Sequence, residues 1–171
     1  MRHALGMVAI GAFVAGCATT APSGPSAVAV LAPTAGNATK GTVTFTQKGD
    51  KVLVVASVSG LTPGQHGFHI HEKGDCSSTD GMSAGGHFNP TSKPHAHPTT
   101  MDRHAGDMPM LAVDSFGRAM LTVELDVITV GSGATDVVGK AVIVHKDPDD
   151  FKTQPTGNSG ARMACGVIRK S

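Results

Sequence analysis

GTVTFTQKGDKVLVVASV, residues 41–58, holds two apolar runs separated by a turn that carries Gly49. In the first run Val43 and Phe45 fall on one side and threonines on the other. Successive side chains of a strand point to opposite faces, so this alternation marks a half-buried antiparallel strand. QKGDK at 47–51 then reads as a hairpin turn and KVLVVASV at 51–58 as the returning strand. Short Val-rich runs recur on either side: AVAVLAP (27–33), HGFHIH (66–71), MLAVD (110–114), RAMLTVEL (118–125), KAVIVH (140–145) and RMACGVI (162–168), with DSFGR (114–118) as a second hairpin turn. The 22 glycines and 10 prolines punctuate the chain too densely for long helices, and no amphipathic helical run appears. The pattern predicts an all-β fold, an eight-stranded antiparallel sandwich or barrel.

A chain of 171 residues, 40% hydrophobic, suits one globular domain. The formal net charge of +1 argues against a nucleic-acid partner, which would need a basic face. The beginning stands apart from the domain. MRHALGMVAIGAFVAGC has a basic start, an apolar run from about Ala4 to Val14 and small residues before Cys17, which reads as a signal peptide over 1–16. Its ending, VAGC, resembles the lipobox of bacterial lipoproteins, in which the cysteine is acylated; an ordinary signal peptide or an uncleaved anchor is the alternative. The apolar run is short of the about 20 residues that span a bilayer. Residues 17–27, containing ATTAPSGPSA, then form a flexible tether, and 28–171 the domain. This predicts an exported protein, lipid-anchored in the cell envelope and facing the periplasm or the exterior.

Three cysteines leave one unpaired in an exported chain. If Cys17 carries lipid, Cys76 and Cys165 remain, and an oxidising compartment favours a disulfide between them over two buried thiols.

Two long stretches lack the strand pattern, Glu72 to about Pro109 and Lys146 to Ala161, and long loops in a compact domain tend to be functional. The first contains His87, His95, His97 and His104. Just before it, GFHIHEKGDC (67–76) sets His69 and His71 two apart on a strand, on the same face and about 7 Å from one another. His145, ending its own strand, can join them. Imidazoles in a roughly square arrangement suit copper. The loop histidines His87, His95 and His104 with Asp107 suit zinc, whose binding would organise a loop poor in apolar residues. An imidazole has two ring nitrogens, so one loop histidine can bridge both sites.

The segments GFHIHEKGDC, GGHFNP (85–90), RHAGD (103–107), IVH (143–145) and GNSGARMACGV (157–167) resemble the copper/zinc superoxide dismutase family in order and spacing, from about His66 to the C-terminus. The resemblance implies a Greek-key, immunoglobulin-like β-sandwich. It implies copper at His69, His71, His87 and His145, and zinc at His87, His95, His104 and Asp107, with His87 as the bridge. It also implies a Cys76–Cys165 disulfide, an active-site arginine at Arg162, and Asp149 as the carboxylate joining a copper histidine to a zinc histidine. The activity implied is conversion of superoxide to dioxygen and hydrogen peroxide as copper cycles between Cu(II) and Cu(I), in defence of the envelope. Lys146 and Lys152 are candidates for an attractive field at the substrate channel.

The alternative is a non-catalytic copper/zinc-binding module of the same fold, a buffer or carrier; a structural zinc domain lacking copper is a third reading. Either would tolerate loss of the bridge, of Arg162 or of a copper histidine, and all are present. His66 reads as structural and His97 as a solvated loop residue. The methionines are scattered and read as packing filler, and GSGATDVVG (131–139) lacks the setting of a nucleotide loop. The chain has no tyrosine or tryptophan, so a homodimer built on aromatic contacts, as bacterial relatives build theirs, is left open.

Overall fold

The 41–58 hairpin forms as its alternation requires. Strands β1 (Ser26–Pro33), β2 (Lys40–Lys48) and β3 (Lys51–Ser59) pair antiparallel in succession. Phe45 stands opposite Val54 and Val43 opposite Ala56, and all four are buried. Gly49, with φ 61°, makes the turn. The computed structural model describes residues 24–171. The expected signal peptide at 1–16, Cys17 and most of the tether lie outside the described residues. Ser26 and Ala27, expected to end the tether at 17–27, instead pair in β1 with Thr46 and Phe45.

Beyond the hairpin come β4 (Gly64–His66), β5 (Phe68–His71), β6 (Leu111–Val113), β7 (Arg118–Leu125), β8 (Ala141–His145) and β9 (Arg162–Lys170), with one turn of 3-10 helix at Met82–Ala84. The protein is all-β, as expected, with nine strands among the described residues where eight were predicted. The run 66–71 is divided at Gly67, where a side chain would press on Ser159. Seven strands form one antiparallel sheet in the order β5, β8, β9, β1, β2, β3, β7; β4 and β6 pair separately. Since β4 runs into β5 and β6 leads to β7, the small pair connects the two edges of the large sheet. DSFGR does turn the chain, closed by Asp114 N–H to the Arg118 carbonyl at 2.8 Å, yet β6 spends its ladder on β4.

The inward face of the curled sheet carries the main core, with Phe45, Phe68, Ile70, Leu111, Leu125 and Ile168 buried. Strand β5 is buried on both faces: Phe68 and Ile70 join that core, while His69 and His71 point the other way. On that outer side Ala84, Ala141, Ile143 and Cys165 form a second small cluster beneath the long 72–109 loop. The histidines therefore lie outside the barrel wall, roofed by a loop.

A candidate metal centre

The roof is held to β5 by backbone hydrogen bonds. Ile70 N–H donates to the Gly106 carbonyl at 2.9 Å, Phe88 N–H to that of Ile70 at 2.8 Å, and Gly106 N–H to that of Phe88 at 2.9 Å. Gly106 approaches so closely that a side chain there would collide with the Ile70 carbonyl. This weave brings His87 beside His71 and Asp107 beside His69. From the other side, a bulge after Val144 shifts the β8–β9 register so that His145 faces Arg162. Bulges of this kind re-aim side chains.

Two groups of four buried side chains result, each with ligand atoms within 4.8 Å of one another: His69, His71, His87 and His145; and His87, His95, His104 and Asp107. His87 belongs to both. In the first group His69 Nδ1, His71 Nε2, His87 Nε2 and His145 Nε2 are buried without any hydrogen-bond partner. The opposite nitrogens are engaged: His69 Nε2 donates to Asp149 at 2.6 Å, His71 Nδ1 to the Gly85 carbonyl at 2.9 Å, and His145 Nδ1 to the Gly160 carbonyl at 3.2 Å. Those donations fix each tautomer and leave a lone pair facing its neighbours, the form in which imidazole ligates a metal. Unpaired polar atoms are costly when buried, so four converging ones fit a bound cation.

In the second group Asp107 Oδ1 lies 3.1 Å from His87 Nδ1, 2.9 Å from His95 Nδ1 and 3.5 Å from His104 Nδ1. Its other oxygen accepts from Ala96 N–H at 3.1 Å and His104 N–H at 3.0 Å, which orients the carboxylate. Three imidazoles and one carboxylate match the tetrahedral preference of zinc. His87 thus turns Nδ1 to one group and Nε2 to the other.

Asp149 connects the groups, accepting the His69 Nε2–H on one oxygen and the His95 Nε2–H on the other, the latter at 2.9 Å. Gly157, at φ 65°, allows this; a side chain there would press on the Asp149 carboxylate and the His95 ring.

Electrostatics follow from burial and pairing. Burial lowers the pKa of His87 to about 4 and of His145 to about 3 and lowers His71 and His69 in the same direction. These rings are neutral at pH 7 and ready to ligate. For His95 burial acts downward too, yet hydrogen bonds and charge from Asp107 and Asp149 win and raise it to about 9. Burial pushes Asp107 and Asp149 up, but bonds from His104, His87 and His95 to the first, and from His69 and His95 to the second, hold both far below the usual carboxylate range.

Arg162 grips the loop through two carbonyls, Nη1 to Gly81 at 2.7 Å and Nη2 to Gly85 at 2.6 Å. The Gly85 carbonyl thus holds both Arg162 and His71. The Cys76–Cys165 disulfide anchors the same loop to β9 three residues past Arg162. Arg162 and His145 line a cleft of about 540 Å³ together with Asp80, Met82, Thr34 and Asn37. Lys146 and Lys152, expected to supply charge there, are exposed and neither lines the cleft. A larger groove, about 900 Å³, lies over β1, β2, β3 and β7 and contains none of these groups.

His66 is buried between the carbonyls of His145 and Thr62, each 2.9 Å from a ring nitrogen. His97 is exposed, with Nδ1 at 2.8 Å from Thr99 Oγ1. Sequence reading missed Gln154, which accepts the His95 N–H and donates to the His95 carbonyl, both at 2.8 Å. No local pattern could have paired residues so far apart. The Gly81 and Gly85 carbonyls were missed because a main-chain acceptor leaves no mark on residue identity.

Residues 39–168 match the family model for copper/zinc superoxide dismutase. A crystal structure of the clock protein EA4 is 39% identical, with a TM-score of 0.77, over 88% of this chain and 98% of that one.

Proposed function

The chain belongs to the copper/zinc superoxide dismutase family, and from that premise we propose that it converts superoxide to dioxygen and hydrogen peroxide. The observation that carries the reading is the set of four buried, unpartnered imidazole nitrogens behind a cleft lined by Arg162. Copper held by His69, His71, His87 and His145 would supply one-electron redox chemistry, and zinc held by His87, His95, His104 and Asp107 a fixed positive charge. Arg162 binds and orients the anion: two of its donors are committed to Gly81 and Gly85, and the others stay available to the cleft. His87 is the bridge and the proton carrier. Its Nδ1 faces Asp107, so Nε2, whenever it is not ligating a metal, is the atom that would take a proton from water and give it to the reduced substrate. Asp149 keeps His69 and His95 in register while this happens.

The setting we propose is the envelope of an exporting cell, with lipid on Cys17 as the tether and superoxide as the substrate. The disulfide is consistent with an oxidising compartment.

A second reading, a copper/zinc-binding module without dismutation, is favoured by one observation, that a similar solved structure is that of a clock protein. Superoxide consumption by the chain loaded with copper and zinc, beside a His69→Ala copy, separates the two. Fast consumption abolished by the substitution supports the enzyme. A folded, fully metallated protein without activity overturns it in favour of the binding module.

A further inference from the structure

Met82 departs from the filler role expected of the methionines. It is 59% exposed, and of the exposed methionines Met82, Met101 and Met120 it is the one that lines the cleft holding His145. It opens the 3-10 turn at the rim of the cleft that His145 and Arg162 line. Asp80 lines the same rim, and its Oδ1 accepts the Met82 N–H at 2.9 Å, which holds the two side chains on one short turn. At the far end is the His145 Nε2, 3% exposed as a residue and without a partner. One cleft is therefore lined by an exposed thioether and a carboxylate and by the buried imidazole of His145, a member of the four-histidine group.

A cation entering this cleft meets the guanidinium of Arg162, which repels it. An ion would need an attractive foothold outside that charge. A thioether is a soft ligand that selects Cu(I) and has little affinity for Zn²⁺, while the neighbouring carboxylate attracts any cation. We propose that Met82, assisted by Asp80, is an outer docking site for Cu(I), from which the ion passes down the cleft to His145 and the remaining histidines. The proposal rests on the reading of His69, His71, His87 and His145 as the copper-holding group. The ion stays Cu(I) throughout, so the transfer exchanges ligands and needs no electron donor or acceptor.

The test is the rate at which metal-free protein takes Cu(I) from its chromogenic bicinchoninate complex, without oxygen, for wild type and Met82→Leu. Leucine keeps the size of the exposed side chain and removes the sulfur. Loss of a contact of about 1.4 kcal/mol at the limiting step slows uptake about tenfold. The final copper count per chain, and the nitrogen pattern of the Cu(II) spectrum after oxidation, stay as in wild type, and the rate of Zn²⁺ uptake is unchanged. Uptake of Cu(I) by Met82→Leu at the wild-type rate overturns the docking site. Equal slowing of Zn²⁺ uptake overturns it too, because a thioether would not produce that. If wild type shows no histidine-nitrogen signal from bound copper, the copper-holding reading itself fails and the docking site falls with it; the first two outcomes leave that reading intact.

Discussion

The rings of His69 and His95 are tied to one carboxylate, each donating Nε2–H to a different oxygen of Asp149, at 2.6 and 2.9 Å. One of those histidines belongs to the first four-residue group and the other to the second. A change at Asp149 therefore reaches both groups at once, although it is a member of neither. Asp149→Asn replaces an acceptor oxygen with an amide that donates, so one ring N–H faces a donor. We expect affinity for both copper and zinc to fall, by roughly 10- to 100-fold. Competition titration with chelators measures it, and a loss confined to one metal would contradict the shared role.

Acid and alkali should destabilise the metal-free protein for different reasons. His87 and His145 are held at about 4 and about 3, below the ordinary 6.5. The unfolded chain binds more protons there, so their contribution is present above pH 6.5 and is lost as pH falls toward 4 and 3. His95 is raised to about 9, so its contribution is complete below 6.5 and is lost as pH rises through 9. Urea unfolding of metal-free protein across pH should show a maximum between these limits. Stability that kept rising as pH passed 9 would count against the charged His95.

The same protonation predicts a proton balance for zinc. Below pH 9 a metal taking His95 Nδ1 must displace a proton from that ring. Calorimetry in buffers of differing ionisation heat should register about one proton released at neutral pH and a release that fades as pH rises past 9. No release at neutral pH would mean that His95 is neutral or is not a ligand.

The Cys76–Cys165 bond spans 89 residues of sequence. Replacing both cysteines with serine should lower stability by about 4 to 5 kcal/mol in the chain-entropy account. The loop carrying the Gly81 and Gly85 carbonyls would then lose its attachment beside Arg162. Chemical denaturation reads the first effect, and weaker binding of a small anion to the metallated protein reads the second.

Arg162→Lys keeps the charge and gives up the paired grip, since a lysine ammonium cannot span the Gly81 and Gly85 carbonyls as a planar fork does. Superoxide turnover should fall with metal content unchanged. Arg162→Gln removes the charge as well and should lower the rate further, by roughly 10-fold or more, and flatten its dependence on ionic strength. Steady-state rates at several salt concentrations distinguish the two variants.

Much of this protein was legible in its sequence because the signals are local. Alternation in 41–58 marks a strand pair through side-chain direction alone, and the turn glycine between the runs follows from backbone freedom. His69 and His71 share a face because residues two apart in a strand must. The remaining histidines and Asp107 were recognisable from their spacing within a family pattern.

Tertiary structure decided what depends on distant partners. Gly67 divides a run that reads as one strand because Ser159 packs against it. Strand β6 pairs with β4 although the turn at 114–118 joins it directly to β7, a choice of long-range partner that no local pattern encodes. The double use of His87, the bridging of His69 and His95 by Asp149, and the grip of Arg162 on two carbonyls are geometric facts about atoms brought together from far apart in the chain. Composition and spacing name the groups present; only the closed fold sets which lone pairs meet, which stay unpaired, and where Asp80 and Met82 stand relative to the cleft.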